Sequence, residues 1–386
     1  MHILWLASWF PNEYEPYLGD FIERHATAVE SFVPIHVIHV TQLGTKKATK
    51  SSVKSYQIGS AKVFVYSFNF RPIHISFIDK IRYNIQYQLF YKKVLKQHQQ
   101  QYGKPRCIHL HVPMKAGIVG MQVAKRWKIP YFISEHASMY EPAAIDTYET
   151  RSAFFKNKSA QIFANAIAVS NVSATVAKTI QQLFSLPSIQ VIHNCVDTNL
   201  FYYKPANNRV FTFIHVSSFH TQKNILKMLQ AFVTLLNTHT HWKLVMVGPA
   251  NSTIQNFVVE NSLNKHIEFT GEIPYAKVAL QLQKANAFVT FGLHENFPCA
   301  IIEALCCGLP IIASNVGGVA EALNESNGIL VPSNEQQALT IALQKMLNNY
   351  QQYHPETIAT KASQLYCYQT IGKQFMHWYQ QYISFD

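Results

Sequence analysis

Acidic residues are scarce in this chain of 386 residues, 21 Asp and Glu against 33 Lys and Arg, and charged residues make up only 14% of the total. With 48% of residues hydrophobic, a disordered, collagen-like or disulfide-scaffold protein is excluded. No stretch reaches the ~18 consecutive apolar residues that a membrane-spanning helix needs. The opening segment, Met1 to Ser8, is short and lacks the basic flank of a secretion signal, so a buried first strand is expected there. The six cysteines (Cys107, Cys195, Cys299, Cys306, Cys307, Cys367) form no C-x-x-C pair and no metal-ligand spacing, which fits a reducing cytoplasm. Eighteen histidines occur without H-x3-H or H-E-x-x-H, so structural roles are expected rather than zinc. His109 and His111, alternate residues of one strand, read as core or cleft lining. Also missing are G-x-G-x-x-G, the P-loop and the G-x-S-x-G nucleophile elbow, which argues against dinucleotide-dependent oxidoreductases, P-loop NTPases and serine hydrolases. No two Asp lie close enough for a D-x-D metal clamp. A bound diphosphate would have to be met by helix N-termini, Lys or Arg.

The positive charge that is present is unevenly spread. Residues 1–200 hold 22 basic and 11 acidic residues, whereas 201–386 hold 11 and 10. Between Lys46 and Lys128 there are 17 basic residues and one acid, Asp79. Such a face attracts phosphates, of anionic lipids, nucleic acid or a phosphorylated substrate. Within it, Ile78, Ile81, Ile85 and Leu89 share one stripe at helical spacing, flanked by Arg82, Lys92, Lys93 and Lys96. That pattern suits a helix lying on an anionic membrane, and equally the core face of a domain helix. Nucleic acid is not expected as a partner.

Short apolar runs alternate with amphipathic stretches almost throughout. Strands are expected at 3–8, 34–40, 62–67, 107–111, 130–134 and 166–170, then at 211–216, 243–248, 267–270, 287–291, 310–313 and 329–331. Helical patterns such as 20–30 and 114–126 lie between them. This alternation predicts an α/β protein of two facing Rossmann-like domains with parallel sheets. The boundaries are set at 1–190, 191–365 and a C-terminal helical segment, 366–386, packing toward the first domain. Ligands of open α/β sheets bind beyond the carboxyl ends of the strands, so the cleft between the domains is the expected site.

The most informative stretch runs from Phe291 to Ser314. A loop with Glu295 leads into a helix starting near Pro298 and carrying Glu303, and Gly308 and Pro310 end that helix. The amides of Phe297, Cys299 and Ala300 would point at an anion docked there. Next comes Ser314-Asn-Val-Gly-Gly-Val-Ala-Glu321, whose paired glycines allow close approach of backbone to a ligand. The E-x7-E pair, with Gly308-Leu-Pro310, Gly317-Gly318, Glu321 and Asn327-Gly-Ile-Leu-Val331, resembles the retaining GT-B glycosyltransferases of family four, also called glycosyl transferases group 1. Asn194-Cys-Val-Asp-Thr-Asn-Leu-Phe201, the loop His215 to Asn224, Gly271-Glu-Ile-Pro274, Gly19 and Ser134-Glu-His136 fall in the order that family shows.

The resemblance implies roles. Glu303 would hold the donor's ribose hydroxyls, and Glu295 would face the donor sugar. Lys223 would neutralise the diphosphate as the sugar leaves, and His136 would touch the transferring sugar. Gly19, Ser218, Pro274, Asn296, Phe297, Cys299, Gly317 and Gly318 would complete the donor site. Three departures stand out. Ser218 takes the place of the family's arginine, so His220 or another basic residue must supply that phosphate contact. Pro298 replaces a glycine and removes an amide donor. Gly19 lacks the second glycine of the usual pair.

The implied activity is metal-independent retaining transfer of a hexosyl group from a UDP- or GDP-linked sugar. The acceptor would be a glycan or lipid-linked glycan of cell-surface polysaccharide synthesis. No cofactor is expected, and the place of action would be the cytoplasm, at the inner face of the membrane. The alternatives are a nucleotide-sugar epimerase of the same fold and a non-enzymatic two-domain sugar-binding protein.

Overall fold

The computed structural model describes residues 2–42, 51–141, 144, 146–205 and 209–385. Lys46, Lys47 and Lys50 of the basic run lie outside the described residues. The first sheet has the strands β1 (Ile3–Ala7), β2 (Ile35–Gln42), β3 (Ser52–Ile58), β4 (Ala61–Phe68), β5 (Cys107–His111), β6 (Tyr131–Glu135), β7 (Ala168–Asn171) and β8 (Gln190–Val191). Their spatial order is β3-β4-β2-β1-β5-β6-β7-β8. All neighbours are parallel except β3 and β4, which form a hairpin. Helices α1 (Asp20–Val29), α2 (Ser76–Tyr102), α3 (Ala116–Trp127), α4 (Ala153–Ala164) and α5 (Ala174–Phe184) connect the strands.

The second sheet comprises β9 (Phe211–Val216), β10 (Trp242–Val247), β11 (Ile267–Gly271), β12 (Ala287–Thr290), β13 (Ile311–Ser314) and β14 (Gly328–Val331). Its order, β11-β10-β9-β12-β13-β14, is the doubly wound arrangement, with every neighbour parallel. Its helices are α6 (Ile225–Leu236), α7 (Ser252–Glu260), α8 (Tyr275–Leu282), α9 (Cys299–Cys306), α10 (Val319–Ala322), α11 (Gln336–Asn349) and α12 (Pro355–Tyr366), followed by α13 (Tyr368–Gln380). Apart from β3 and the two-residue β8, the apolar runs located these strands, because parallel strands are covered on both faces. The hairpin strand β3 was not expected. It lies at the sheet edge with most residues exposed, so no apolar run marks it. The Gly59-Ser60 link between two β-prone runs was its one available signal.

At Cys367 the backbone turns extended (φ −65°, ψ 156°) and α13 crosses back to the first domain. Ile371, Phe375, Trp378 and Tyr379 join a core with Ile3, Trp5, Ile22, Ala26 and Val29. Burying each such side chain contributes about 1.5–3 kcal/mol. The two helices α1 and α13 touch closely, since a Cβ on Gly372 would lie 2.0 Å from the Ala28 carbonyl oxygen. Helix α1 is thereby held from behind, and its front faces the cleft.

In helix α2 the apolar stripe is not the core face. Tyr83, Tyr87, Tyr91, Val94 and Leu95 face the core. Ile78, Ile81, Ile85 and Leu89 are exposed, Leu89 at 62%. No helix among the described residues is long and apolar enough to cross a membrane.

Candidate active site

The carboxyl ends of the two sheets face each other across a cleft of two adjoining cavities, of about 410 and 580 Å³. Asp20, Ser218, Lys223, Glu295, Pro298 and Cys299 line both cavities. The smaller adds Phe21, His136, His294, Asn296 and Phe297. The larger adds Arg24, Val216, Val247, Ile273, Tyr275 and Glu303.

On the second-domain side, the loop after β12 is seated by its neighbours. Leu293 N–H donates to the Gln222 carbonyl at 2.8 Å, tying this loop to the turn that carries Lys223. Lys223 Nζ and Glu295 Oε1 then form an ion pair at 2.6 Å. Gly317 (φ +50°) and Gly318 do not line either cavity; they pack beneath this loop. A Cβ on Gly317 would lie 1.6 Å from the Glu295 carbonyl oxygen, and one on Gly318 would lie 2.3 Å from that of Asn296. The backbone these glycines approach is thus that of the Glu295 loop. Helix α9 begins at Cys299 with Pro298 as its N-cap, one position earlier than a first-turn proline.

Other contacts hold the domains together around the cleft. Asn296 Nδ2 donates to the His136 carbonyl at 3.0 Å across the two domains, and Asn194 Nδ2, in the segment that joins them, donates to that of Phe297 at 2.7 Å. The Phe297 ring stacks on His193. Glu321 accepts from the N–H groups of Ala174 and Thr175, at 2.8 and 2.9 Å, and so caps α5 of the first domain. Arg24 on α1 reaches furthest. Its Nη1 lies 2.6 Å from Glu303 Oε1 and 2.6 Å from the Tyr275 hydroxyl, while Nη2 pairs with Asp20 at 3.1 Å. The Tyr275 hydroxyl also donates to Glu303 Oε1, at 2.8 Å. Burial pushes the Glu303 carboxyl up, and the Arg24 guanidinium and Tyr275 hydroxyl pull it back toward the ionised form.

His136 follows β6 and is backed by an array of buried histidines. Its Nε2 lies 3.4 Å from His111 Nδ1, and His109 bonds Ser134 and Tyr379 deeper in the core. Burial holds His109, His111 and His136 well below the usual histidine range, so His136 faces the cavity as a neutral imidazole. At the opposite end of the first sheet His2, His36 and His98 cluster, a grouping that sequence spacing does not reveal. The rings of His2 and His36 stack with centroids 4.0 Å apart, and His36 hydrogen-bonds His98.

Of the residues expected at the site, Glu295, His136, Lys223, Ser218, Asn296, Phe297, Cys299 and Glu303 all line the cleft. Gly19 does not; at φ +67° it packs on the Trp9 backbone and starts α1. Pro274 is the N-cap of α8, and its neighbours Ile273 and Tyr275 face the cavity instead. His220 is exposed and outside the lining. Arg24, Asp20 and Tyr275 were not foreseen. The Asp20/Arg24 spacing on one helix was the only sequence signal for the first two.

Glu141 is a further unforeseen neighbour. Its buried Oε1 has no hydrogen-bond partner and would lie 2.9 Å from a Cβ on Gly317. Burial, with the charge of Glu295 adding, pushes its carboxyl from 4.5 up to about 7. The unfolded chain therefore releases this proton first, and the fold loses stability as pH rises from about 4.5 to about 7. Glu141→Gln is expected to shrink the stability difference between pH 5 and pH 8 by about 1–3 kcal/mol, read from urea midpoints. An unchanged pH dependence would exclude Glu141 as its source.

A family model described as glycosyl transferases group 1 matches residues 200–363, and one described as Glycosyltransferase Family 4 matches 49–200. The putative teichuronic acid biosynthesis glycosyltransferase TuaC of Bacillus subtilis is 26% identical over 396 aligned residues, 97% of this chain and 95% of that protein. An uncharacterized glycosyltransferase of Methanocaldococcus jannaschii is 27% identical over 244 residues; the match spans 63% of this chain and 65% of the relative. Among solved structures, sucrose-phosphate synthase of Thermosynechococcus elongatus superposes with a TM-score of 0.77 at 19% identity, covering 99% of each chain. HepE of Anabaena, in complex with UDP-glucose, gives 0.71 at 18% identity over 99% of this chain and 100% of that one. The two family matches run through both walls of the cleft, and the doubly wound sheets superpose over nearly their whole length. The chain belongs to the family four, group 1 glycosyltransferases and has their two-domain GT-B fold.

Proposed function

We propose that the chain transfers a hexosyl group, with retention at the anomeric carbon and without a resident metal, from a UDP- or GDP-linked sugar. The acceptor is a hydroxyl of a glycan or lipid-linked glycan in cell-surface polysaccharide synthesis. The observation that carries this reading is the Lys223–Glu295 pair at the junction of two cavities, with Glu303 in the larger one. The nucleoside occupies the larger cavity, its base against Val216, Val247 and Ile273 and its ribose on Glu303. The diphosphate lies at the junction, beside Lys223 and the first amides of α9. The sugar enters the smaller cavity, between Glu295, Asn296 and His136.

In the transfer, the acceptor oxygen bonds to the anomeric carbon as the bond to the phosphate oxygen breaks. The electron pair leaves on the nucleoside diphosphate, and the acceptor proton passes to the departing phosphate oxygen. Lys223 meets the charge developing there. Glu295, already bonded to Lys223, holds the donor rather than attacking it. The relative named for teichuronic acid biosynthesis and the neighbour solved with UDP-glucose support this choice of chemistry. A thermal-shift screen of nucleotide sugars, followed by NMR of the product linkage, tests it. An inverted linkage would sink retention. Conversion of the donor to its epimer without acceptor would favour the epimerase.

The acceptor domain works at the inner, cytoplasmic face of a membrane. Helix α2 starts at the cleft edge of the first sheet and exposes Phe77, Ile78, Ile81, Ile85 and Leu89 beside Lys92, Lys93 and Lys96. The protein is expected to sediment with phosphatidylglycerol vesicles and far less with phosphatidylcholine ones. Ile85→Asp with Leu89→Asp should abolish sedimentation. Equal recovery of parent and variant with anionic vesicles would remove the helix from membrane contact.

A further inference from the structure

The cleft is short of positive charge. Among the described residues lining the two cavities, Arg24 and Lys223 are the Arg and Lys, against the carboxylates Asp20, Glu23, Glu272, Glu295 and Glu303. A site that takes a nucleoside diphosphate has few cations to meet it, and both are committed to carboxylates within the protein.

The Arg24 pair has a physical problem and a matching solution. Arg24 and Glu303 are both buried and sit on different domains. If a ribose took Glu303 alone, the guanidinium would lose its main partner inside the protein, which is costly for a buried charge. A nucleoside diphosphate brings both replacements, hydroxyls for the carboxylate and phosphate oxygens for the guanidinium. Arg24 Nε is already buried with no hydrogen-bond partner, an unspent donor on a group suited to phosphate. Lys223 and Glu295 repeat the arrangement at the sugar end, where phosphate would meet the lysine and sugar hydroxyls the glutamate.

Resting on the nucleotide-sugar reading above, we infer that Arg24 is the second diphosphate-binding cation of this enzyme. It is supplied from the first domain and held on Glu303 until the ribose takes its place. Ser218 lines the same cavity on the opposite domain and carries no charge, so the first domain provides what the loop after β9 lacks. Donor binding is thereby tied to having the domains closed around Arg24.

Calorimetric titration with UDP, GDP, uridine and guanosine tests this, using the parent and Arg24→Gln. In whichever base series the parent binds, Arg24→Gln should weaken the diphosphate about 10- to 100-fold. The nucleoside should bind as before or more tightly. Adding Ser218→Arg to Arg24→Gln should restore most of the diphosphate affinity. Tighter or unchanged diphosphate binding by Arg24→Gln would overturn the inference and leave Arg24 as a competitor for Glu303. Should Arg24→Gln not fold, Arg24→Lys decides: weaker diphosphate binding with unchanged nucleoside binding supports the role, and tighter binding overturns it. A parent that binds neither diphosphate overturns the nucleotide reading itself, and the inference with it.

Discussion

Glu303→Ala is expected to destabilise the protein by about 3–5 kcal/mol and to remove measurable nucleotide binding. The cost comes from what is left behind. Glu303 and Arg24 side chains are only 5% and 10% exposed, and their 2.6 Å contact joins the two domains. Without the carboxylate, the guanidinium keeps Asp20, which is 39% exposed, and the Tyr275 hydroxyl. Neither replaces a buried counter-charge. Urea unfolding should show the loss, and Arg24→Ala combined with Glu303→Ala should recover part of it, because no charge is then stranded. If Glu303→Ala were as stable as the parent, the pair would contribute nothing and the clasp would rest on Glu321 and Asn296. Ligand binding separates the two roles of Glu303. Glu303→Gln keeps the side chain's shape and a hydrogen bond to Tyr275, yet should still bind nucleotide more weakly, since ribose hydroxyls donate best to a carboxylate.

Lys223→Ala is expected to lower kcat/KM by about 1.5–3 kcal/mol, the worth of a charge-assisted bond. The lysine sits where the leaving group gains charge, so most of the loss should fall on kcat. A rise in KM alone would mean that Lys223 binds the diphosphate equally before and during transfer. The substitution also frees Glu295 from its 2.6 Å partner and leaves a carboxylate next to Glu141. Part of the effect is therefore repulsion, and Lys223→Ala with Glu295→Gln should lose less than the two single losses added together. Unchanged kinetics would remove Lys223 from the reaction.

Much of the fold was legible because parallel strands covered on both faces must be continuous apolar runs. The Glu295–Glu303 spacing was legible because loop and helix are contiguous in sequence, and so was Lys223, in the turn after a recognisable strand. The paired glycines at 317 and 318 were visible as a motif, yet their partner was not. Their neighbour is the Glu295 loop of the same chain, and only assembled coordinates show which backbone comes within reach. Helix α2 is a similar case. Periodicity reveals a stripe but carries no sign for inside or outside, and the tyrosines on the opposite face took the core.

By itself the sequence determined two parallel sheets wound with helices, the family to which they belong, and the carboxylates and lysine on the second domain's side of the cleft. Tertiary structure alone decided what closes that cleft from the other side. Arg24 meets Glu303 across 279 residues of sequence, a separation at which no local pattern carries information. Helix α13 returns to pack behind α1 and presents the arginine to the cleft. The pairing was settled by burial: once the two domains closed, each of these charges needed a partner, and the nearest one lay on the other domain.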